Sequence, residues 1–371
     1  MSAPPKDVEV DDREVVTVTD LMGTSVNVKY PVKRVVLGSM DEVDFYAAVY
    51  GEGWEKTIVM WPSDMSTRDP SREAAYFGKY PSLKGLPKSP DMFQAPAFPV
   101  ELLMKQNADL ILLPASSMMW RSWNAETWKL LTESGTGVVT LDMYTDPFNK
   151  IAENVNVLSK ITKNTERAAG INAMFDKNIK KVMDVMKTIP DSKKGLSIYI
   201  EIPGLDPVKY GSSPAMGTPE FDMLGSKNAA VEYHKKKNLQ YTAEFTFNYE
   251  MLQAEKPDVF VFAMSSYYGS KEAKLFGFNM SSSKADLEDA ASKYLNRPGF
   301  GELKAVKDKK CFMYIAELRN TFASFANLQY VAKALYPEEF KNLDPYANLM
   351  EFDATYLPVY TSGTFFHYMC T

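Results

Sequence analysis

One phrase is written twice in this chain. Residues 101–117 read ELLMKQNADLILLPASS and residues 250–266 read EMLQAEKPDVFVFAMSS. Glu101 and Glu250 stand 149 positions apart, and each is followed by Leu two places on, Asp eight places on, four apolar residues, two spacers and Ser-Ser. Each copy reads as a helix, a turn at Asn-Ala-Asp or Lys-Pro-Asp, and a buried strand that ends at the serines. A chain carrying this unit once in each half is expected to build two similar α/β layers.

The flanking sequence keeps the same rhythm. VVTVTDLMGTSVNV (15–28) alternates β-branched residues around a turn containing Gly23, which predicts a hairpin. RVVLGS, TIVMW, DLILLP and GVVTLDM read as short buried strands, separated by the helix-like stretches MDEVDFYAAVYG, PVELLMKQN and AETWKLLTES. Later, GLSIYIEI, DVFVFAM and KCFMYIAE are strand-like, while PEFDMLGSKNAAVEY, YEMLQAEK and ASFANLQYVAKALYPEEF are helix-like. Strands alternating with helices imply mostly parallel sheets covered on both faces. Between the halves, NTERAAGINAMFDKNIKKVMDVMKTIPD carries Ala168, Ile171, Phe175, Ile179, Val182 and Met186 at helical spacing, with Asn164 or Thr165 able to cap its start and Pro190 to stop it. Such a helix would be roughly 36 Å long, the width of a domain. The expected organisation is an N-terminal α/β lobe (1–163), a bridging helix (164–190) and a C-terminal α/β lobe (191–371), with an ordinary surface helix as the plainer alternative for the middle segment.

At 371 residues each half can bury its own core. A net charge of −5 without a dense basic block argues against nucleic acid as a partner, HKKKN (234–238) being the one short exception and more simply a solvated helix end. No apolar run approaches the ~18–20 residues that cross a bilayer. The opening MSAPPKDVEVDDREV has no hydrophobic signal core, which fits either a cytoplasmic protein or one whose export signal is absent from this chain. Cys311 and Cys370 make no disulfide framework, and whether they pair is not legible.

In a parallel sheet, ligands bind at the loops that follow the strands. After Ser-Ser the first copy continues MMWRSW and the second YYGSK, so that Trp120, Arg121, Trp123, Tyr267 and Tyr268 stand at equivalent exits, one set per half. Aromatic faces and a guanidinium fork there could grip a ligand between the lobes, or be no more than core and rim. The Glu of each copy stands at the other end of its unit, one helix back from that loop. By itself it reads as a solvated residue favourable to the helix dipole.

VTVTDLMGTSVNVKYPVKRVV, VELLMKQNADLIL, the bridging helix, YEMLQAEKPDVFVF, RPGFGELKAVKDKKCFMY and YVAKALYPEEFKNLDP, in that order and spacing from Val15 to Pro345, resemble the substrate-binding proteins of ABC importers for iron-siderophore, haem and cobalamin complexes. The resemblance implies two Rossmann-like α/β lobes joined by one long α-helix, with the ligand cleft between them. It implies docking of Glu101 and Glu250 into basic pockets of a dimeric membrane permease, a place outside the cytoplasm, and a monomer that carries a small-molecule metal chelate and has no cofactor of its own. The loops that would line the cleft contain Gly38-Ser39-Met40, Trp61, Trp120, Arg121, Trp123, Tyr144, Tyr210, Tyr267, Tyr268 and Arg319.

A ferric siderophore, bulky and often anionic, suits the Arg and aromatic set; cobalamin also suits an aromatic cleft. Haem would need an axial His or Tyr, and His234 and His367 read as structural or solvated. A bare ion is not expected, since no His/Asp/Glu cluster is visible. Met residues near the loops read as filler, and Arg68 and Arg72 either as further cleft residues or, the preferred reading, as a solvated helix face. Against an enzyme, no G-x-x-x-x-G-K-[ST], G-x-G-x-x-G or G-x-S-x-G stands in the required strand-to-helix setting. A surface receptor reusing the fold is the third class considered.

Overall fold

The computed structural model describes residues 11–90, 100–115, 125–203, 210–212, 218–239, 245–266, 269–359 and 362–369. Strands β1 (Glu14–Thr19) and β2 (Ser25–Tyr30) form an antiparallel hairpin whose turn uses Gly23 at φ 76°. Its buried residues Val18, Val26 and Val28 face the N-terminal core.

The N-terminal sheet is parallel and consists of β3 (Val35–Leu37), β4 (Ile58–Pro62), β5 (Lys88–Ser89), β6 (Leu110–Pro114) and β7 (Gly137–Leu141), in the order β5-β4-β3-β6-β7. Its helices are α1 (Met40–Tyr50), α2 (Asp64–Arg68), α3 (Pro70–Lys79), α4 (Val100–Lys105), α5 (Ala125–Glu133) and α6 (Lys150–Thr162). The bridging helix follows as α7 (Thr165–Thr188).

Beyond it come β8 (Ser197–Glu201), β9 (Tyr210–Ser212), α8 (Thr218–Met223), β10 (Lys227–Asn228), α9 (Ala229–Lys237), β11 (Phe245–Phe247), α10 (Tyr249–Glu255), β12 (Val259–Met264), β13 (Gly277–Phe278), α11 (Lys284–Leu295), α12 (Lys304–Lys307), β14 (Cys311–Ile315), α13 (Ser324–Leu335), α14 (Pro345–Tyr356), β15 (Gly363–Thr364) and β16 (Phe366–Tyr368). The C-terminal sheet runs β10-β8-β12-β14-β16, parallel except for β16. The segment read as one helix over 219–233 is broken: Gly225, at φ 72°, turns the chain so that Lys227–Asn228 can pair with β8 before α9 begins. His367, read as tail, stands in β16 opposite Met313.

Strand order reverses between β3 and β6 in the first sheet, and between β8 and β12 in the second. The two copies of the repeated phrase therefore supply the same strand, the one just past each reversal. Every residue of β6 and β12 is buried, as a central parallel strand requires. The helix of each copy ends on a residue in the left-handed region at the same place, Asn107 (φ 46°) and Lys256 (φ 47°). The shared Asp then clips the lobe's first strand. Asp109 Oδ2 accepts the amides of Lys33 (2.8 Å) and Arg34 (3.1 Å) ahead of β3, and Asp258 Oδ2 accepts that of Ser197 (2.9 Å) in β8.

Along α7, Ala168, Ile171 and Phe175 enter the core shared with the N-terminal lobe, while Val182 and Met186 enter the second core of the C-terminal lobe. At the middle the expected stripe gives way to a buried amide, Asn178. Gln329 of α13 donates to the Asn178 carbonyl (3.0 Å), and Lys181 bridges Asn178 (3.0 Å) to Asn348 of α14 (2.6 Å). Asn164 stands at the N-cap, but its amide donates to the Tyr50 carbonyl (3.1 Å) and does not cap α7. One aromatic wedge joins the lobes directly: Phe45 of α1 meets Phe322 at 4.2 Å between centroids, Phe322 meets Phe352 at 5.3 Å, and Phe175 of α7 meets Phe325 at 5.8 Å.

Candidate functional site

A cavity of about 300 Å³ opens between the lobes at the strand exits, within the range of small-molecule sites. Its N-terminal wall is Met40 and the segment Thr67–Arg72 across the α2–α3 corner. Its C-terminal wall is Ser266 beyond β12, then Ala273, Lys274, Phe276, Gly277 and Phe278, with Ile315 at the end of β14 and Glu317 and Leu318 just past it. Hydrogen bonds cross beside it. Ser71 Oγ donates to the Phe278 carbonyl (2.9 Å), Asn279 Nδ2 to the Ser71 carbonyl (3.0 Å), and Arg319 Nη2 to the Tyr144 carbonyl (3.4 Å).

The corner is made by Asp69-Pro70. Asp69 caps α3 by accepting the Arg72 amide (3.0 Å), and Pro70 starts the new helix where its missing N–H is not needed. Burial pushes the Asp69 carboxyl up to about 6, against the pull of that amide. Arg68 is held by Asp64 (3.2 Å) with Asp41 further off (3.9 Å). Arg72 is ion-paired to buried Asp44, which also accepts the Tyr76 hydroxyl, and its guanidinium lies 5.6 Å from the centre of the Phe278 ring. Behind this pair, burial pushes Asp353 of α14 up to about 7, with Arg72 pulling the other way.

At the first turn of α1, Ser39 and Glu42 form a capping box: the Ser39 amide donates to Glu42 Oε2 (2.7 Å) and the Asp41 amide to Ser39 Oγ (3.3 Å). The Met40 amide donates to Asp64 (2.9 Å). Burial and then the neighbouring Asp41 push Glu42 well above the usual carboxylate range. On the facing wall Glu317 Oε1 accepts the Ser265 hydroxyl (3.0 Å), the Ser266 amide (2.7 Å) and the Ser266 hydroxyl (2.9 Å). The serines that close the second copy of the repeated phrase thus hold a carboxylate of the next strand exit.

Of the residues singled out in the sequence, Met40 lines the cavity. Tyr144 and Arg319 meet beside it, the Tyr144 hydroxyl donating to Asp41. Trp61 does not reach it: the indole is fully buried under α3, against Tyr76 and Phe77, and donates to Glu73 (3.0 Å). A tryptophan at the end of a parallel strand is as suited to covering helix packing as to facing a ligand, and here it does the former. Arg68 and Arg72 take the second of the two readings open to them, cavity wall in place of the preferred solvated face, because the break at Asp69-Pro70 turns that face inward. Trp120, Arg121, Trp123, Tyr267 and Tyr268 lie outside the described residues, as does the side chain of Tyr210. Glu317 was missed; its position two residues past β14, at a strand exit, was the available signal.

Glu101 and Glu250 are exposed, in the first turns of α4 and α10. A helix that leads into a parallel strand runs back along it, so its first turn stands at the edge where that strand ends. Both carboxylates therefore come round to the edge that carries the cavity, and not to the opposite end of the unit as the linear order had implied.

No family model matches the sequence, and no curated protein sequence does. Solved structures do match. The TroA-like periplasmic binding protein FepB of Veillonella parvula superposes with a TM-score of 0.83 at 22% identity, covering 95% of this chain and 99% of that one. This chain has the TroA-like fold. Two further structures share it: Helicobacter pylori CeuE in a nickel–histidine complex (TM-score 0.61, 16% identity, 92% and 94% covered) and the periplasmic haem-binding protein RhuT of Roseiflexus (0.56, 13%, 83% and 99%). The two-lobed α/β architecture expected from the resemblance is the one found.

Proposed function

We propose that this protein is an extracytoplasmic solute-binding protein that captures a metal chelate, an iron complex of the ferric siderophore type, and delivers it to the permease dimer of an ABC importer. The observation that carries this is the cavity between two α/β lobes, set at the strand exits of both sheets and backed by α7 and the aromatic wedge. The names of structures with this fold point the same way: FepB and RhuT are periplasmic binding proteins. Among the described residues no group of three or more His, Cys, Asp or Glu is assembled for a metal, which favours a cargo that brings its own ligands. Haem is the second reading, since RhuT is named for it, but the described cavity wall has neither His nor Tyr to offer as an axial ligand.

Capture is tested by a thermal-shift panel of ferric siderophores, haemin, corrinoids and free metal salts; the cargo raises the melting midpoint by mass action, and a flat panel overturns the proposal. Docking by Glu101 and Glu250 is tested by E101K/E250K. Uptake should fall at least about tenfold, because each charge now faces a like charge, while chelate affinity is unchanged. Unchanged uptake removes the docking role.

A further inference from the structure

Two helix C-termini, one from each lobe, meet at a single side chain. Helix α1 opens at Met40 in the N-terminal wall of the cavity and stops at Gly51. Helix α14 ends at Tyr356, and the chain beyond it passes Leu357 and Val359, which lie beside Phe278, before β15 pairs with β13 in the C-terminal wall. Neither helix has a basic residue in its own last turn. Arg167, in the first turn of α7, serves both. Its Nε donates to the Ala48 carbonyl of α1 and its Nη2 to the Tyr356 carbonyl of α14 (2.8 Å), with the guanidinium 5.5 Å from the centre of the Tyr356 ring. The fit around it is close. A Cβ at Gly51 would come within 3.4 Å of Arg167 Cδ, and one at Gly170, the next turn of α7, within 2.6 Å of the Tyr356 hydroxyl oxygen. The groups that answer the charge are the partial negative ends of two helices and the face of an aromatic ring.

We propose that Arg167 is the pivot that sets the angle between the lobes, and with it the spacing of the two cavity walls. Helix ends of the same partial charge repel one another, and a guanidinium set between them turns that repulsion into a shared attraction. A planar fork with several donors can serve two carbonyls at once. Without it the ends of α1 and α14 would part and take up water, while α7 and the aromatic wedge still keep the lobes connected. The role is one of positioning, since Arg167 does not line the cavity. It goes beyond the capture function and does not depend on the cargo.

The distance between the lobes reads this directly. Spin labels are attached at Lys129→Cys of α5 and Lys284→Cys of α11, both exposed, with Cys370→Ser and the buried Cys311 left in place. Double electron–electron resonance is then recorded on the whole protein without cargo. Arg167→Ala should broaden the distance distribution by about 1.5-fold or more, as expected of a released hinge. Ethylguanidinium ion at millimolar concentration should narrow it again by refilling the slot. Asn164→Ala is the control, because the bond it removes, from Asn164 to the Tyr50 carbonyl, ties α7 to α1 alone. It should lower the melting midpoint and leave the distribution as it was. An unchanged distribution in Arg167→Ala, or equal broadening in Asn164→Ala, overturns the inference and leaves capture standing. Should Arg167→Ala fail to fold, Arg167→Met, which keeps the stem over Gly51 and loses the donors, is measured in its place with the same two outcomes.

Discussion

Asp109 and Asp258 hold the entry of the first strand in their lobes, and neither job can pass to a neighbour. Around Asp109, burial opposes ionisation, but Arg13 and the Lys33 and Arg34 amides outweigh it and hold the carboxyl below its usual range. Removing either carboxylate leaves backbone N–H groups without an acceptor, so Asp109→Ala and Asp258→Ala should each cost about 1–3 kcal/mol in denaturant unfolding, Asp109 the more because it accepts two amides and its ion pair with Arg13 is more buried than that of Asp258 with Lys304. Asp353 is the converse case. Its folded carboxyl titrates at about 7, above the ordinary 3.8, so its contribution is favourable at low pH and is lost as pH rises through 7. Asp353→Asn should therefore raise the melting midpoint relative to wild type at pH 8, and the gain should vanish near pH 4; a gain independent of pH would contradict the assignment.

At the scale of elements, the repeated phrase is a specification of one unit: a helix, a left-handed stop, a clip, a buried strand and a serine pair. Lys256 fills the left-handed stop, and among the described residues no ion pair holds its side chain. Lys256→Gly should be tolerated or should stabilise by up to about 1 kcal/mol, read as a shift of the urea midpoint. Strands such as β6 and β12 were legible because an unbroken apolar run between turn signals has few alternatives. The two-residue β10 was not, because Lys227–Asn228 carries no apolar signal of its own and becomes strand only by lying along β8. The site was half legible for a related reason. Met40 follows from the rule of strand exits, whereas Arg68, Arg72 and Glu317 depend on how a corner at Asp69-Pro70 and a pair of serines aim their neighbours, which linear spacing does not encode.

Taken whole, the ties between the lobes should limit hinge motion. Besides α7, the lobes share Phe45–Phe322 contact, the Ser71–Phe278–Asn279 bonds and an ion-dipole tie from Lys79 to the Pro358 carbonyl (2.5 Å). Solution scattering with and without a bound chelate should show nearly the same radius of gyration; a large compaction would mean that the wedge opens. Phe45→Ala, which removes the tightest aromatic contact, should cost about 3–5 kcal/mol.

One feature of the C-terminal sheet reaches back into how the protein is made. Among the described residues strand β14 receives its outer partner from residues 366–368, and β13 its partner from 363–364, both translated long after the strands they complete. Until those residues leave the ribosome, the flank of β14 is a bare row of amides and carbonyls, open to any stray extended chain. A nascent polypeptide of this kind gains by being kept unfolded until these strands have emerged, and a version cut after residue 361 should precipitate where one that retains residues 362–371 stays dissolved.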